Sequence, residues 1–540
     1  MTPIKTNTYD HISYTKHVYQ QTQPNNLATI ATLFGVQPPP VETCRVLEIG
    51  CASGINTIAM AQDIPNGEFT GIDNSGQQIK EGQNNIHHLG LQNITIKTMD
   101  IMDIQPDFGM FDYIVAHGVY SWVPVLVRDK ILQICHHNLQ PNGIAYLSYN
   151  IYPGWHIDHT LREMMLYGTR HMIEPQEKFE QAQALLKFFR DTIKHKYDSY
   201  SLWLKKELQQ ISKLDKNYFF HEYLEDENNP VLFHEFIEHA NRHGLQYLTD
   251  ATTIFTSVDD FFPETKTLAI DLIAKEQYFD LLRNNPFRTT LLCHQHIAIN
   301  RNIEANEISD FYIAAPLKPA SSVASEQLQH DTLEKFENVA GESVLSVGSP
   351  LLKAVCLCLG EVWPQNLSFD SLMERVSKLL RMAGEKPEKE SGAQDSYQTM
   401  LSAEDINEVK TTLLGFYLKK IVELSVYPPQ FTLTISEHPV ASPVARLQSQ
   451  QGKNVTNLRY EIFSLDFATR NVLKHLDGTH NQVALLGIMR KSIEDGDLML
   501  YSGEDKRALE DIDADELHNY LSHRVAEILQ SLAKKAYLVA

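Results

Sequence analysis

The feature that most constrains the fold is an apolar run that ends in a turn of small residues, Val46-Leu-Glu-Ile-Gly-Cys-Ala-Ser-Gly-Ile-Asn56. The apolar residues predict a buried strand, and the small residues predict a tight turn that leads into a helix. Glycines at 50 and 54, with Ala52 between them, leave space for a ligand to approach the backbone. The segment therefore predicts the first βα turn of a nucleotide-type α/β domain.

The spacing within this turn narrows the class of ligand. Glu48-x-Gly50-x-Ala52-x-Gly54 is neither the G-x-G-x-x-G dinucleotide pattern nor a phosphate loop with Gly-Lys-Ser/Thr, so a pyrophosphate is not expected. An acid two residues before the first glycine suits a ligand with a cationic end. The pattern E-x-G-x-x-x-G is similar to motif I of class I S-adenosylmethionine (SAM) methyltransferases. The alternative is a βα turn that merely contains two glycines.

Four further apolar segments alternate with helical stretches and decide between these alternatives. They are Phe69–Asp73, Ile94–Thr98, Phe111–His117 and Gly143–Tyr149. Five strands alternating with helices predict an α/β, doubly wound, Rossmann-like parallel sheet. Ligands on such sheets bind at the carboxyl ends of the strands. Polar or small residues stand at these ends, namely Gly50, Asp73, Asp100, His117 and Tyr149.

The strand ends supply candidate ligands for SAM. Asp73 follows Gly50 by 23 residues, which suits a carboxylate that binds the two ribose hydroxyls. Asp100 is placed to accept a hydrogen bond from the adenine amino group. Glu48 faces the cationic end of the cofactor. The other predicted cofactor-binding residues lie beside these in sequence: Gly50, Cys51, Ala52, Gly54, Asn56, Asn74, Gln78, Ile101 and His117.

Aromatic and amide side chains near the later strand ends are candidates for an amine-binding pocket. We expect Trp122, Tyr149 and Tyr152 to form its wall, with Tyr14 contributed by an N-terminal lid, because an apolar aromatic wall disfavours an ammonium ion. Asn150 and His117 are the candidates for hydrogen bonding to the acceptor. Ordinary packing is the alternative for Trp122. For His117 the alternative is support of the adenosine pocket.

The chain is long enough for several domains. A class I core ends with a helix and two more strands, the last antiparallel, and Leu245–Leu248 and Phe287–Cys293 fit this ending. A charged stretch without large aliphatic residues predicts a mobile loop. Helix pairs that are followed by short strands suggest winged-helix folds. The predicted organisation is an N-terminal lid at 1–40, a methyltransferase core at 41–156 and 226–300, a helical insertion at 157–225, a middle winged-helix-like domain at 305–382, a loop at 383–399 and a C-terminal winged-helix-like domain at 400–540.

Composition excludes several classes of function. No stretch approaches a membrane span and no signal peptide is evident, so a cytoplasmic protein without membrane insertion is expected. A formal net charge of −21 without a basic stripe argues against a nucleic-acid partner and suits a basic protein partner, although it can also serve solubility. The six cysteines are expected to be reduced. Cys293, His294 and His296 lack a fourth ligand, so no metal site is predicted.

Motifs distributed over nearly the whole chain resemble the rickettsial-type bacterial protein-lysine methyltransferases, which carry a "methyltransferase regulatory domain". These motifs are Tyr9-Asp10, Leu47-Glu-Ile-Gly-Cys-Ala-Ser-Gly54, His117-Gly-Val-Tyr-Ser-Trp122, Ser148-Tyr-Asn150 with Pro153-Gly154, Phe233-His-Glu-Phe236 and Leu476-Asp-Gly-Thr479. One departure is Gln23-Pro24, where His-Pro is expected. The resemblance implies SAM as cofactor and lysine side chains of a protein acceptor as substrate, with an outer-membrane surface protein as the family's known target.

Methyl transfer to lysine also provides a physical reason for the predicted aromatic pocket. The nucleophile must be a neutral amine, which from a pKa near 10.4 costs roughly 4 to 5 kcal/mol at neutral pH. Two other functions stay open at this point. One is methylation of a small molecule or a nucleobase, and the other is a SAM-binding scaffold that does not turn over.

Overall fold

The computed structural model describes residues 10, 12, 17–252, 271–320, 328, 332–383, 401–498, 500–502, 505–507 and 513–540, with side chains omitted for 500–502 and 505–507. The predicted wall residue Tyr14 and most of the predicted loop at 383–399 lie outside these residues. The described chain divides into two compact units. The first comprises residues 1–27 and 35–299, and the second comprises residues 28–34 and 300–540.

A seven-stranded sheet forms the centre of the first unit. Its strands, in the order β3-β2-β1-β4-β5-β7-β6, are β1 (Arg45–Ile49), β2 (Glu68–Asp73), β3 (Ile94–Thr98), β4 (Phe111–Ala116), β5 (Leu139–Asn150), β6 (Leu245–Asp250) and β7 (Phe287–His294). All neighbouring pairs among the first five strands are parallel, whereas β7 runs antiparallel to both β5 and β6. The predicted Rossmann-like class I sheet, including its antiparallel last strand, is confirmed.

Helices connect the strands and cover the sheet. Those that enclose the sheet are α2 (Ile55–Asp63), α3 (Gly76–Leu89), α4 (Val125–His137), α9 (Phe233–Arg242) and α10 (Leu272–Arg283), and α1 (Pro24–Leu33) precedes the first strand. Helix α10, between β6 and β7, begins at Leu272, where the side chain of Asp271 accepts from the amide of Ala274; residues 253–270, which precede it, are not among the described residues. The strands are apolar over most of their length because both faces of the sheet are covered.

The core on one face of the sheet buries the odd-numbered residues of β5. Leu147 and Tyr149 pack there with Phe233, Phe236 and other residues of α9, and with the apolar side of α4. The even-numbered residues Tyr146, Ser148 and Asn150 point to the opposite face, since side chains alternate along a strand. This alternation decides which residues of β5 can contribute to a site beside α2.

The predicted helical insertion follows β5. It consists of α5 (Trp155–Thr169), α6 (Pro175–Ile193), α7 (Ser199–Ile211) and α8 (Lys216–Leu224). Their apolar faces form a separate core around Leu161, Leu186 and Phe220. Ile12 belongs to the same core, so the N-terminal segment packs on the insertion.

The second unit contains small sheets and amphipathic helices. Its helices are α11 (Pro350–Val362), α12 (Phe369–Ala383), α13 (Ala403–Leu418), α14 (Pro443–Gln451), α15 (Phe467–Leu473), α16 (Gln482–Glu494) and α17 (Ala514–Lys534). Its strands are β8 (Tyr312–Ala314), β9 (Lys318–Pro319), β10 (Glu334–Glu337), β11 (Ser343–Val347), β12 (Leu367–Ser368), β13 (Glu423–Ser425), β14 (Asn454–Thr456), β15 (Ile462–Ser464), β16 (Leu500–Ser502) and β17 (Asp505–Arg507). A core around Leu476, Leu485 and Leu529 joins the last four helices.

The predicted boundary at 383–399 does not separate the sheets of this unit. Strand β13 lies beyond that stretch but pairs with β8, which in turn pairs with β12. The guanidinium of Arg459 also donates to the carbonyl oxygen of Pro364 at 2.7 Å and lies 4.3 Å from the centre of the Trp363 ring. The predicted middle and C-terminal domains therefore share hydrogen bonds, and β13 belongs with the middle sheet. Within the described residues, no helix is both long and apolar enough to span a membrane.

Candidate functional site

The turn between β1 and α2 has the backbone geometry of a ligand-binding loop. Gly50, Ala52 and Gly54 all have positive φ angles, of 74°, 51° and 71°. A Cβ atom on Gly50 would lie 2.5 Å from a methyl carbon of Val119, so this position has no room for a side chain. The amides of Gly50 and Cys51 both donate to the carbonyl oxygen of Ile72, which fixes the turn against the end of β2.

Asp73 at the end of β2 holds the same turn through its carboxylate. One oxygen accepts from the amide of Ala52 at 2.9 Å, and the other accepts from the amide of Ser75 at 2.8 Å. Burial raises the pKa of Asp73, and the hydrogen bonds from these amides oppose that shift. The nearby carboxylate of Asp10 adds to the increase. The structure thus brings together Asp73 and the glycine turn, as a cofactor site at this strand end requires.

Glu48 is enclosed by the first turns of α2. Its carboxylate accepts hydrogen bonds from Asn56 at 2.8 Å and from the hydroxyl of Thr57. Burial raises the pKa of Glu48 to about 7, although both hydrogen bonds oppose the shift. In this structure Glu48 therefore positions α2 and contributes a buried acid beneath the turn.

Asn56 joins the turn to the N-terminal segment. Its side-chain oxygen accepts from the amide of Tyr19 at 2.9 Å and from the side chain of Gln23 at 3.1 Å. Its nitrogen donates to the hydroxyl of Thr22 at 3.0 Å. Gln23, the residue at which the chain departs from the family pattern, is thus buried and takes part in this network through its amide nitrogen.

The remaining predicted cofactor residues lie at or near the first three strand ends. Asn74 and Asp100 are exposed, and Asp100 caps a short helical turn by accepting from the amide of Met102. Gln78 is buried, and its side-chain oxygen has no hydrogen-bond partner within the described residues. Ile101 packs on the core below, and Cys51 is a buried thiol whose pKa is raised by burial. Sequence reasoning missed Ser75, whose hydroxyl donates to Asp10 at 2.6 Å beside this group.

His117 lies at the end of β4, on the face of the sheet shared with the even-numbered residues of β5. Its Nδ1 atom is 2.9 Å from the hydroxyl of Tyr146 and 3.2 Å from that of Ser148. The ring of Tyr19 lies 3.9 Å away, measured between ring centres. Burial lowers the pKa of His117 to about 4, so the imidazole is neutral at neutral pH. A neutral, oriented imidazole can accept or donate one hydrogen bond without carrying charge.

Asn150 lies at the end of β5, and one of its contacts is with a residue that no sequence motif marks. Its side-chain nitrogen donates to the side-chain oxygen of Asn228 at 3.1 Å, and its backbone amide donates to the hydroxyl of Ser121 at 2.8 Å. The side-chain nitrogen of Asn228 is buried and has no partner among the described residues. An unpaired buried amide is costly unless a ligand or water satisfies it.

One member of the predicted aromatic wall lies away from the candidate acceptor site. Tyr149 is buried in the opposite core, stacks on Phe236 at 3.9 Å and hydrogen bonds to Thr290, so it does not reach the face that carries His117 and Asn150. The prediction that Tyr149 forms the wall is therefore corrected. The physical reason is the alternation of side chains along β5.

Trp122 and Tyr152 are half-buried near this region. Trp122 meets Trp155 edge to face at 6.2 Å, and the guanidinium of Arg162 lies 5.9 Å from its ring centre. Tyr152 stacks on His156 at 4.3 Å. One cation thus already lies near the Trp122 ring, which favours a packing role for that side chain.

These features define a class I methyltransferase core, with a glycine turn, an acid at the end of β2 and a neutral, ordered set of side chains beyond β4 and β5. The residues fit SAM. Gly50 leaves no side chain in the turn, Asp73 retains acceptor capacity, and the buried side-chain oxygen of Gln78 has no partner in the part of the chain that the structure describes.

Comparisons with known proteins agree with this class. Residues 40–213 match the family described as "Methyltransferase domain", residues 215–294 match "Predicted methyltransferase regulatory domain", and residues 437–537 match "PKMT, C-terminal winged helix domain". The second of these matches includes β6 and β7, so that domain completes the central sheet. The third confirms a winged-helix domain near the end of the chain.

Relatives extend over most of the chain. An uncharacterised protein of Rickettsia prowazekii is 35% identical over 504 residues, which covers 92% of this chain and 87% of that protein. The solved structure of PKMT2 from Rickettsia typhi is 30% identical, with a TM-score of 0.83 over 98% of this chain and 100% of that chain. PKMT2 in complex with AdoHcy gives a TM-score of 0.81 at 31% identity, with the same coverage. The chain belongs to the PKMT family, and it is a SAM-dependent methyltransferase.

Proposed function

We propose that this enzyme transfers methyl groups from SAM to lysine side chains of a protein acceptor. The observation that carries the proposal is the likeness to PKMT2, which extends through the helical insertion and the winged-helix region as well as the cofactor core. A small-molecule methyltransferase has no evident need for the large second unit. SAM supplies an electrophilic methyl group, so the chain has to bind, orient and exclude water.

Within the core, we propose that SAM is held by the glycine turn and the acids around it. Asp73 would bind the ribose hydroxyls with the acceptor capacity that remains on its two oxygens. Gln78 lies in the first turn of α3, after β2, and Asp100 follows the end of β3, and both would contact the adenosine. Glu48 would act from below the turn, through Asn56, as a positioning residue.

The acceptor amine would bind beyond the ends of β4 and β5. Asn150 and Asn228 offer two amide groups there, and His117 offers a neutral imidazole. None of the three carries a positive charge that would oppose an approaching amine, and their carbonyl or imidazole acceptors can orient its N–H bonds. A largely desolvated setting lowers the pKa of lysine, which favours the neutral nucleophile.

The charge of the chain supports a basic acceptor segment. A formal net charge of −21 attracts lysine-bearing segments at low ionic strength and repels nucleic acid. The resemblance in the sequence suggests an outer-membrane surface protein as the acceptor. We propose it as the first candidate.

Labelled SAM tests the proposal when it is incubated with the purified enzyme and with envelope and cytosolic fractions of a bacterium. Mass spectrometry should locate the label on lysine side chains of a protein, with the envelope fraction as the richer source. Label confined to arginine, to nucleic acid or to small metabolites would contradict the lysine assignment.

A pair of variants tests the pocket. Asn150→Ala removes the amide next to Asn228 and should slow methylation of the protein acceptor by roughly tenfold or more, the scale expected for one misplaced positioning group. Its affinity for SAM should remain that of the parent. Asn142→Ala is the matched control, because Asn142 is exposed on the same strand. Equal rates for both variants would place the pocket elsewhere.

A further inference from the structure

The structure contains a second site, distinct from the cofactor turn, whose side chains suit a metal ion. We propose that Asp129, His239 and His243 bind a divalent transition-metal ion of the zinc type. The Nε2 atoms of His239 and His243 lie 3.2 and 2.8 Å from the Oδ1 atom of Asp129. One ligand atom from each residue lies within 4.8 Å of the other two.

These separations are close to those required around zinc. Bonds of about 2.0 to 2.1 Å in a tetrahedral site place neighbouring ligand atoms about 3.3 Å apart. The two distances to Asp129 would therefore lengthen by about half an ångström at most. Two imidazoles and one carboxylate form a ligand set that suits zinc, cobalt or nickel better than magnesium or calcium, which prefer oxygen ligands.

The local structure explains why the three groups converge. His239 lies in the last turn of α9 and His243 is the residue that caps it, so the two rings stand one turn apart on the same side. Their ring centres are 5.3 Å apart. Asp129 comes from α4 and is 110 residues away from His239 in sequence. This separation explains why the sequence predicted no metal site.

Outer contacts orient the ligand atoms. The hydroxyl of Tyr120 lies 2.8 Å from the Nδ1 atom of His239, so it can accept from Nδ1–H in the tautomer that leaves Nε2 free to coordinate. The side chain of Gln133 donates to Oδ2 of Asp129 at 2.6 Å, which leaves Oδ1 directed at the histidines. Metal-bound histidine usually donates its other ring N–H to an oxygen acceptor such as a carboxylate, a backbone carbonyl or water, and the Tyr120 hydroxyl occupies that position beside His239.

The site is open enough to be filled. The side chains of His239 and His243 are 12% and 17% exposed, and that of Asp129 is 40% exposed. An ion can therefore enter from solvent and keep water as a fourth ligand. On binding, each neutral imidazole would carry its single proton on Nδ1 and coordinate through Nε2, and the ion would replace the two hydrogen bonds to Asp129 and link α4 to α9 more strongly than they do.

Tyr120 connects the proposed metal site to the proposed acceptor pocket. Tyr120 precedes Ser121, whose hydroxyl accepts from the amide of Asn150. A metal ion that fixes His239 would hold Tyr120, and through it the segment next to the proposed acceptor pocket. The expected role is positional, since none of the three ligands faces the cofactor turn.

The test uses the full-length protein after treatment with a chelator. Zinc is titrated by calorimetry and cobalt by visible absorption, whose intensity distinguishes tetrahedral from octahedral coordination. We expect one ion per chain and a rise in Tm with zinc, because a ligand that binds only the folded state stabilises it. Tyr120→Phe should weaken affinity by roughly ten- to a hundredfold, the range found for outer contacts.

Variants locate the ion and keep the test independent of folding. His239→Ala and His243→Ala should each weaken zinc affinity by more than the Tyr120 variant does. Asp129→Asn preserves the shape and one hydrogen-bond acceptor, so it should fold yet lose the zinc-dependent rise in Tm. His136→Ala is the control, because His136 is exposed and belongs to a neighbouring histidine group, in which its ring centre lies 5.5 Å from that of His294. Parental zinc binding in the Asp129, His239 and His243 variants, loss of binding only in the His136 variant, or no binding by the parent would each overturn the proposal.

Discussion

Removal of the Asp73 carboxylate is the most direct perturbation of the proposed cofactor site. In the structure this carboxylate accepts backbone hydrogen bonds from Ala52 and from Ser75, one on each oxygen, and a further one from Asn74. A carboxylate has about four acceptor positions, so capacity remains for a ribose hydroxyl. Asp73→Ala therefore removes the contact with the ribose and the backbone bonds that shape the turn.

The size of the effect follows from the charge of the acceptor. Hydrogen bonds to ionised groups are stronger than neutral ones, and the contact between Asp73 and the ribose should contribute roughly 2 to 3 kcal/mol. At about 1.4 kcal/mol per tenfold change, SAM should bind roughly 30- to 140-fold more weakly. Asp73→Asn should weaken SAM binding nearly as much, because the NH₂ group of the new amide would face a backbone N–H group and could not accept from it.

Calorimetric titration with SAM and with AdoHcy measures this loss, and urea unfolding of each variant separates it from instability. Glu68→Ala is a suitable control, since Glu68 lies at the opposite end of β2 and its side chain is 74% exposed. The reasoning would be refuted if Asp73→Ala bound SAM within about twofold of the parental affinity, because a contact of this kind cannot be worth so little.

Two further predictions concern stability. Burial raises the pKa of Glu48 to about 7, so between pH 4.5 and 7 the folded state keeps a proton that the unfolded state releases, and the free energy of unfolding should decrease as pH rises through this window. The side chain in Glu48→Gln cannot titrate, so the variant should lose roughly 3 kcal/mol of this change in the free energy of unfolding. Urea unfolding across the pH window measures the change, and the same pH dependence in the variant and the parent would contradict the prediction. Asp280→Ala removes a wholly buried partner of Arg288 and should cost roughly 3 kcal/mol, the low end of the usual range because Glu276 remains at 2.9 Å. The exposed Asp191→Ala should leave the free energy of unfolding nearly unchanged, and equal values for these two variants would argue against the ion-pair account.

The sheet and the cofactor turn could be predicted because their signals are local. Each strand is a short apolar run, and the turn after β1 requires small residues at fixed positions. The same local rule could have corrected the assignment of Tyr149. Strand periodicity places Tyr149 on the face opposite Ser148 and Asn150, and only one of these faces can contain the acceptor pocket.

The partners of the site could not be predicted because they are distant in sequence. Tyr19 and Asn56 are 37 residues apart, and Asn150 and Asn228 are 78 apart. No short pattern marks Asn228, which lies in a polar connection between the insertion and α9. Asn228 reaches Asn150 because the chain returns to the end of β5 after the insertion. The packing of the insertion determines where the chain returns.

The acids around the turn also explain why the site suits a sulfonium ligand. Glu48 and Asp73 are largely removed from water, and the charged neighbours that shift their pKa values are other carboxylates, among them Asp10. A phosphate would meet like charge here, whereas a cation relieves the repulsion between these acids. SAM carries a positive sulfur and AdoHcy a neutral one, so with the cofactor bound at this turn as proposed, the same field would favour the substrate form over the product form. The electrostatics of the turn would therefore assist release of the product once the methyl group has been transferred.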